Sequence, residues 1–375
     1  VKYFFVQRVF GVDEWSIKKG FPDRPERPDE TMPNVRTFTL PMGAKIGAIS
    51  YYLPEKVYSN VDFFKDFPDS LGSSLEKTGV IERHIIGADE TASDMAEKAA
   101  LKLFSEHQID PQSIDFLILC NLEPDYYTPA TSAVLHGKLG LPEHCGVLDY
   151  NHGCSAYIYG IGMAEGAMLT SGAKRVLLLT TSALTHTFHP KDKSSKFIFG
   201  DAASATIIDA TDTGMIGPYI YGTDGRGFNR IIKEDGGARN PITDESQKEI
   251  TDEYGNTTSR GSFYMNGNSV FLFTLKKVPQ MIAQLLAKAG LQTEDIDQFV
   301  FHQPNEFLNE TLRKKIGIPE EKFIHHFART GNTVQATIPI CLHKLREDGK
   351  LKPGTTALLA GFGVGLSWNC VIARF

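Results

Sequence analysis

From Lys45 onward the chain moves between two hydrophobic rhythms. Short apolar runs at Lys45–Leu53, 115–120, 146–150, Arg175–Thr180 and Ala202–Ile208 read as strands, several without polar alternation, as expected of strands covered on both faces. Residues 91–107 and 129–139, and the stretch after Cys154, carry apolar positions at helical spacing. Gly160, Ala164 and Ala167 recur at i, i+4 and i+7, giving the helix after Cys154 one face of small residues for close approach to its neighbours. Strands alternating with helices predict α/β layers. Two stretches break the rhythm. Residues 1–41 are charged and punctuated by Pro22, Pro25, Pro28, Pro33 and Pro41, so they read as an extended arm, with Met42 a candidate original start. Residues 235–262 are polar and Gly-rich and predict a surface excursion with a hairpin at Tyr254-Gly-Asn256.

The second half of the pattern repeats the first. Ser113-Ile-Asp-Phe-Leu-Ile-Leu119 is echoed by Asp295-Ile-Asp-Gln-Phe-Val-Phe301, 182 residues on (Asp115 to Asp297). Lys138-Leu-Gly-Leu-Pro-Glu143 is echoed by Lys315-Ile-Gly-Ile-Pro-Glu320, 177 residues on (Lys138 to Lys315). The expected organisation is an N-terminal extension, 1–41, and two duplicated α/β halves, 42–212 and 213–375, about a pseudo-twofold axis.

Composition narrows the field. A chain of 375 residues with 41% hydrophobic content can bury a large core, and a net charge of −6 offers no basic footprint for nucleic acid. Five cysteines without a C-x-x-C pair argue against a disulfide scaffold or a zinc ribbon and suit a reducing cytoplasm. No uninterrupted apolar run approaches the roughly 18 residues of a membrane span, and Val1–Phe10 lacks a signal-peptide core.

The repeat gives three residues a common address. Moving Cys154 forward by the second offset lands on Gly331, beside Asn332, while His302 follows the strand equivalent to 115–120. Functional groups of α/β units collect at strand carboxyl ends, so Cys154, His302 and Asn332 are expected to converge. Alone, each has an ordinary structural explanation, a buried thiol above all. Cys154 also opens a helix, where unpaired N–H groups favour a thiolate. Other groups weigh less. His186 and His189 read as a loop rather than a metal site. His325 and His326 face opposite ways on an expected strand, and Gly222-Thr-Asp-Gly-Arg-Gly227 reads as a turn. His152 either tunes the cysteine, lines its pocket or is structural, and Glu123-Pro-Asp125 brings carboxylates near the presumed site.

From about Lys45 to Phe375 the chain resembles the β-ketoacyl-acyl-carrier-protein synthase III branch of the thiolase-like condensing enzymes. The matching pieces are Gly79-Val-Ile-Glu-Arg-His84, Gly153-Cys154-Ser-Ala-Tyr157, Phe199-Gly-Asp-Ala-Ala203, His302-Gln-Pro-Asn305, Arg329-Thr-Gly-Asn332-Thr, and Lys352-Pro-Gly354 running to Gly361-Phe-Gly-Val-Gly365. The resemblance implies a layered α-β-α-β-α fold, a homodimer, and a two-stage reaction without a cofactor or metal. An acyl group passes from acyl-CoA or acyl-ACP to Cys154, then condenses with a malonyl thioester, malonyl-ACP, with loss of carbon dioxide. It implies an oxyanion hole from the backbone N–H groups of Cys154 and Val364, and two fixed donors, His302 and Asn332, for the enolate. Lys77, Tyr127, His186, Asn305 and Phe362 are implied substrate contacts, Tyr127 as a gate contributed across the dimer, and Lys314 and Lys315 a carrier-protein docking site.

The chain also departs from the pattern. Ser73 and Lys77 stand where a nucleotide-holding Trp and Arg are common, Phe307 replaces a basic docking residue, and Asn151-His152-Gly153 replaces three alanines. These point to a specialised member. Two rivals stay open: a same-fold acyltransferase acting on an oxygen or nitrogen nucleophile, and a non-catalytic partner subunit. A papain-like hydrolase has the residue types but not the repeat or the motif contexts.

Overall fold

The computed structural model describes residues 43–68, 70 and 77–375; the expectations about residues 1–41, Met42 and Ser73 lie outside the described residues. In chain order come β1 (Gly43–Tyr52), β2 (Lys56–Ser59), α1 (Asn60–Asp66), β3 (Glu82–Ile85), α2 (Ala92–His107), β4 (Phe116–Asn121), α3 (Thr131–Lys138), β5 (Gly146–Tyr150), α4 (Ala156–Ser171), β6 (Arg175–Ser182) and β7 (Ala202–Thr211). There follow β8 (Ile216–Thr223), β9 (Ile231–Lys233), β10 (Ile250–Thr251), β11 (Thr257–Thr258), β12 (Phe263–Met265), α5 (Gly267–Ala289), β13 (Gln298–Phe301), α6 (Glu306–Ile316), α7 (Thr337–Glu347), β14 (Thr356–Gly363) and β15 (Ser367–Arg374).

Two mixed sheets carry the fold. The first has the order β1-β7-β6-β4-β5 and the second β13-β14-β15-β8. In each, a parallel core (β5-β4-β6; β13-β14) is extended by antiparallel partners. Helix α4 packs on β4 and β6 of the first sheet and on β14 and β15 of the second; α7 likewise touches β1 and β13. These two helices are therefore the middle layer. Sequence explains why α4 is there: nearly every position of Ala156–Met168 is apolar or small, so no face belongs in water. A Cβ at Gly160 would collide with Leu178 of β6, so the close approach needs glycine. The outer layers hold α2, capped by Thr91 and Asp94, and α5, whose Val278, Met281, Ile282 and Leu285 face the second sheet. The result is the expected α-β-α-β-α sandwich.

The same succession occurs twice: β4, α3, β5, the Cys154 turn, α4, β6, β7; then β13, α6, a single bridge at Phe323, the Asn332 turn, α7, β14, β15. Some expectations need correcting. His325 and His326 follow that bridge and lie outside any strand; His325 Nε2 is 2.8 Å from Glu310 Oε1. Helix α5 is long and apolar enough by length and composition to cross a membrane, although no uninterrupted run was expected to be. Lys276 and Lys277 interrupt it, and its apolar stripe is occupied by sheet two. The hairpin near Tyr254 forms, with Ile250 opposite Thr258.

Candidate active site

Three chain segments meet where the sheets' loops converge. Cys154 occupies the turn between β5 and α4, two residues ahead of the helix. The second half ties that turn down: Asn369 Nδ2 donates to Ser155 O (2.9 Å), Ser155 Oγ and Ser367 Oγ are 2.8 Å apart, and Ser367 Oγ donates to Val364 O (2.6 Å). The glycine-rich turn after β14 presses directly on the cysteine. A Cβ on Gly363 would stand 2.8 Å from Cys154 Sγ, and the residue's φ of +155° disfavours a side chain as well.

His302 follows β13, its N–H donating to Ala360 O of β14 (2.8 Å). Its ring stands edge-on to Phe362, centroids 5.6 Å apart. Asn332 is fixed by backbone hydrogen bonds in both directions, its N–H to Ile198 O (2.9 Å) and its carbonyl accepting from Gly200 N–H (3.1 Å). Asn332 Oδ1 accepts from Val334 N–H (2.9 Å), so the Nδ2 hydrogens are what this side chain offers.

Cys154, His302 and Asn332 line one cavity of about 60 Å³, walled by apolar side chains including Phe199, Phe263, Val334, Phe362 and Val364. Burial dominates its electrostatics. The Cys154 thiol is pushed up to about 12, against the pull of the backbone N–H groups of Val364 and Cys154 itself, both directed at the sulfur. The expected thiolate is thus a neutral thiol at rest: desolvation outweighs the partial charges of the helix start. His302 is driven down to about 3 by burial and is neutral. Thr337 Oγ1 donates to Val334 O (3.0 Å) and lies 2.8 Å from His302 Nδ1, and the Val334 carbonyl also hydrogen-bonds the ring; a hydrogen on Nδ1 satisfies both oxygens. This assigned tautomer leaves Nε2 bare. In that tautomer His302 is a proton acceptor; with the hydrogen on Nε2 it is the expected donor.

The remaining predicted residues scatter. Phe362 lines the cavity. Asn305 caps α6, its Oδ1 accepting from Leu308 N–H (2.9 Å), and does not line the cavity, although Pro304 and Leu308 beside it do. His186 lines a second cavity of about 650 Å³ with Lys56 and Lys196. Tyr127, 90% exposed, lines a third of about 960 Å³ and donates to Gly236 O (3.1 Å). Lys77 is an exposed turn residue whose carbonyl accepts from Phe307 N–H (3.2 Å). Lys314 and Lys315 are exposed on the last turn of α6, Lys314 3.7 Å from Glu310. Phe307 stacks on Phe271. The His152 ring packs on Tyr159, 4.5 Å between centroids, and does not line the cysteine cavity. Glu123 belongs to the third cavity, where burial raises its carboxyl to about 7. Thr337 and Thr274 were not anticipated: hydroxyls on helices carry no motif. Among the described residues no cluster of His, Cys, Asp and Glu suits a metal ion.

An α-β-α-β-α sandwich with its cysteine cavity between the sheets belongs to the thiolase-like class of condensing enzymes. The model of the 3-oxoacyl-[acyl-carrier-protein] synthase III family matches residues 148–225, and that of its C-terminal part residues 286–375. The β-ketoacyl-[acyl-carrier-protein] synthase III of Clostridium acetobutylicum is 32% identical over 324 residues, 86% of this chain and 96% of its own. A crystal structure of a 3-oxoacyl-(acyl-carrier-protein) synthase III is 42% identical, with a TM-score of 0.87 over 89% of this chain and 100% of that one. The 3-oxoacyl-(acyl-carrier protein) synthase of Burkholderia xenovorans LB400 is 32% identical, with a TM-score of 0.82 over 89% and 94%. The chain belongs to the β-ketoacyl-acyl-carrier-protein synthase III family, and is a condensing acyltransferase of the kind that initiates fatty-acid synthesis.

Proposed function

We propose that the protein loads an acyl group from acyl-CoA or acyl-ACP onto Cys154 and condenses it with malonyl-ACP to a β-ketoacyl product. The observation that carries this reading is the meeting of Cys154, His302 and Asn332, from three distant segments, on one small apolar cavity. As the sulfur attacks the thioester, its proton passes to the bare Nε2 of His302 and on to the departing thiol. The N–H groups of Cys154 and Val364, directed at the sulfur, are positioned for the oxyanion that forms beside it. Loss of carbon dioxide from the malonyl thioester leaves an enolate, whose oxygen Asn332 Nδ2–H stabilises, joined by His302 when the neutral ring carries its hydrogen on Nε2 instead of Nδ1. The carbanion then attacks acyl-Cys154. The sulfur leaves with its electron pair and takes up one proton. Decarboxylation supplies the electrons, so the reaction needs no cofactor.

A cavity of about 60 Å³ is under half of one that holds benzene, roughly 150 Å³, which favours a short starter. We read Lys77 and His186 as contacts for the coenzyme A portion and Lys314 and Lys315 as carrier-protein contacts. Among the described residues β5 is an open edge with Leu148 41% exposed, which supports pairing with a second copy, a homodimer in which Tyr127 reaches the partner's pocket. Five free, buried cysteines suit the cytoplasm. Residues 42–212 and 213–375 are read as the duplicated halves. The test is to load the enzyme from a panel of acyl-CoAs and acyl carriers, then add malonyl-ACP. A β-ketoacyl product that depends on malonyl-ACP supports condensation; discharge without it means acyl transfer to another nucleophile, and no loading points to a non-catalytic subunit.

A further inference from the structure

Helix α5 presents Val270 and Thr274, one turn apart on a single face, to the cysteine cavity. Thr274 is fully buried, and among the described residues its Oγ1 has no hydrogen-bond partner. A helical threonine ordinarily relieves its hydroxyl on the carbonyl four residues back; this one does not. The buried face continues as Val278, Met281, Ile282 and Leu285, so a valine would finish the wall without stranding a hydroxyl. A buried polar group left unmet calls for a partner, and this one faces the cavity where substrate atoms would sit.

The other donors at the cavity are already assigned. Cys154 N–H and Val364 N–H serve the acyl carbonyl, while Asn332 and His302 serve the malonyl thioester carbonyl. A malonyl thioester brings one more polar group, its carboxylate. We propose that Thr274 Oγ1–H donates to the malonyl carboxylate and orients the bond that breaks; this rests on the condensing reading above. In that step the bond from C2 to the carboxylate carbon breaks, its electron pair passes into the thioester enolate, and carbon dioxide leaves while Thr274 keeps its proton. One hydrogen bond in an otherwise apolar wall holds the carboxylate without giving it the solvation it has in water, and so favours its departure as a neutral molecule.

The experiment measures two steps on the same preparations of wild type, Thr274→Val, Thr274→Ala and Thr274→Ser: the rate of Cys154 acylation by intact mass, and kcat/KM for malonyl-ACP with preloaded enzyme. Loss of a hydrogen bond to a charged group predicts a drop of at least about tenfold in kcat/KM for malonyl-ACP in T274V and T274A. Acylation should stay within about twofold, which also shows that the cavity is folded, and T274S should recover most of the loss. Unchanged malonyl-ACP kinetics in T274V and T274A would overturn the proposal. So would an equal loss in both steps, or a T274S as impaired as T274V. A wild type that never acylates Cys154 would bring down the condensing reading, and this inference with it.

Discussion

Thr337→Val tests whether the hydroxyl on the first residue of α7 sets the proton on His302. In the native structure Thr337 Oγ1 lies 2.8 Å from His302 Nδ1, where the assigned tautomer has it accept, and donates to Val334 O at 3.0 Å. Valine keeps the shape and deletes both bonds. His302 is 2% exposed, so no water replaces the lost partner, but the Val334 carbonyl still faces the ring, and losing one of two hydrogen-bond partners costs about 0.5–1.5 kcal/mol. That cost falls on the Nδ1–H tautomer, the one with a bare Nε2, and tips the ring toward Nε2–H. The share of enzyme able to take the Cys154 proton then falls by about 2- to 12-fold, since each 1.4 kcal/mol is tenfold. Rapid-mix acylation followed by intact mass reads this directly, and Thr337→Ser, which keeps the hydroxyl, should load like wild type. A T337V enzyme that acylates at the wild-type rate would refute the tautomer assignment and His302 as the base in loading.

Gly363→Ala should lose at least about 100-fold in acylation, because the new methyl would sit 2.8 Å from the sulfur and 2.9 Å from its Cβ; loading at the native rate would show that the turn can move aside. Asn332→Ala should acylate within about threefold of wild type yet condense about 10²–10³-fold more slowly, as expected for removing one oxyanion donor; equal loss in both steps would contradict its assignment to the enolate. His302, held at about 3 in the fold and near 6.5 unfolded, makes the folded state reluctant to bind a proton the unfolded chain accepts. Its stability contribution is present above pH 6.5 and lost as pH falls toward 3. Between pH 6.5 and 4.5 wild type should lose about 2–3 kcal/mol more than His302→Gln in urea unfolding; parallel curves would show that the ring is not buried neutral.

Much of the fold was legible because buried strands announce themselves. Arg175–Ser182 and Ala202–Thr211 extend the predicted runs by only a few residues, and α2 begins one residue after its capping Thr91. The repeat located the Cys154 and Asn332 turns in equivalent places, something neither residue says alone. What sequence could not weigh was solvation. The start of α4 suggested a thiolate, but burial wins, and the same burial makes His302 neutral. Asn305, expected at the substrate, spends its Oδ1 on a helix cap, an equally good use of asparagine before a helix. Thr274 and Thr337 escaped notice because whether a hydroxyl has a partner is a fact of packing, not of spacing.

The central claim is that Cys154 is the nucleophile, and locating the acyl adduct tests it most directly. The enzyme is incubated with a short acyl-CoA or acyl-ACP and digested, and the modified one of its five cysteines is located by peptide fragmentation, with Cys154→Ala alongside. The account predicts a single acyl mass gain on the peptide carrying Cys154, absent in Cys154→Ala and discharged by malonyl-ACP as a β-ketoacyl product. An adduct on Cys120, Cys145, Cys341 or Cys370, or one that persists in Cys154→Ala, would contradict it.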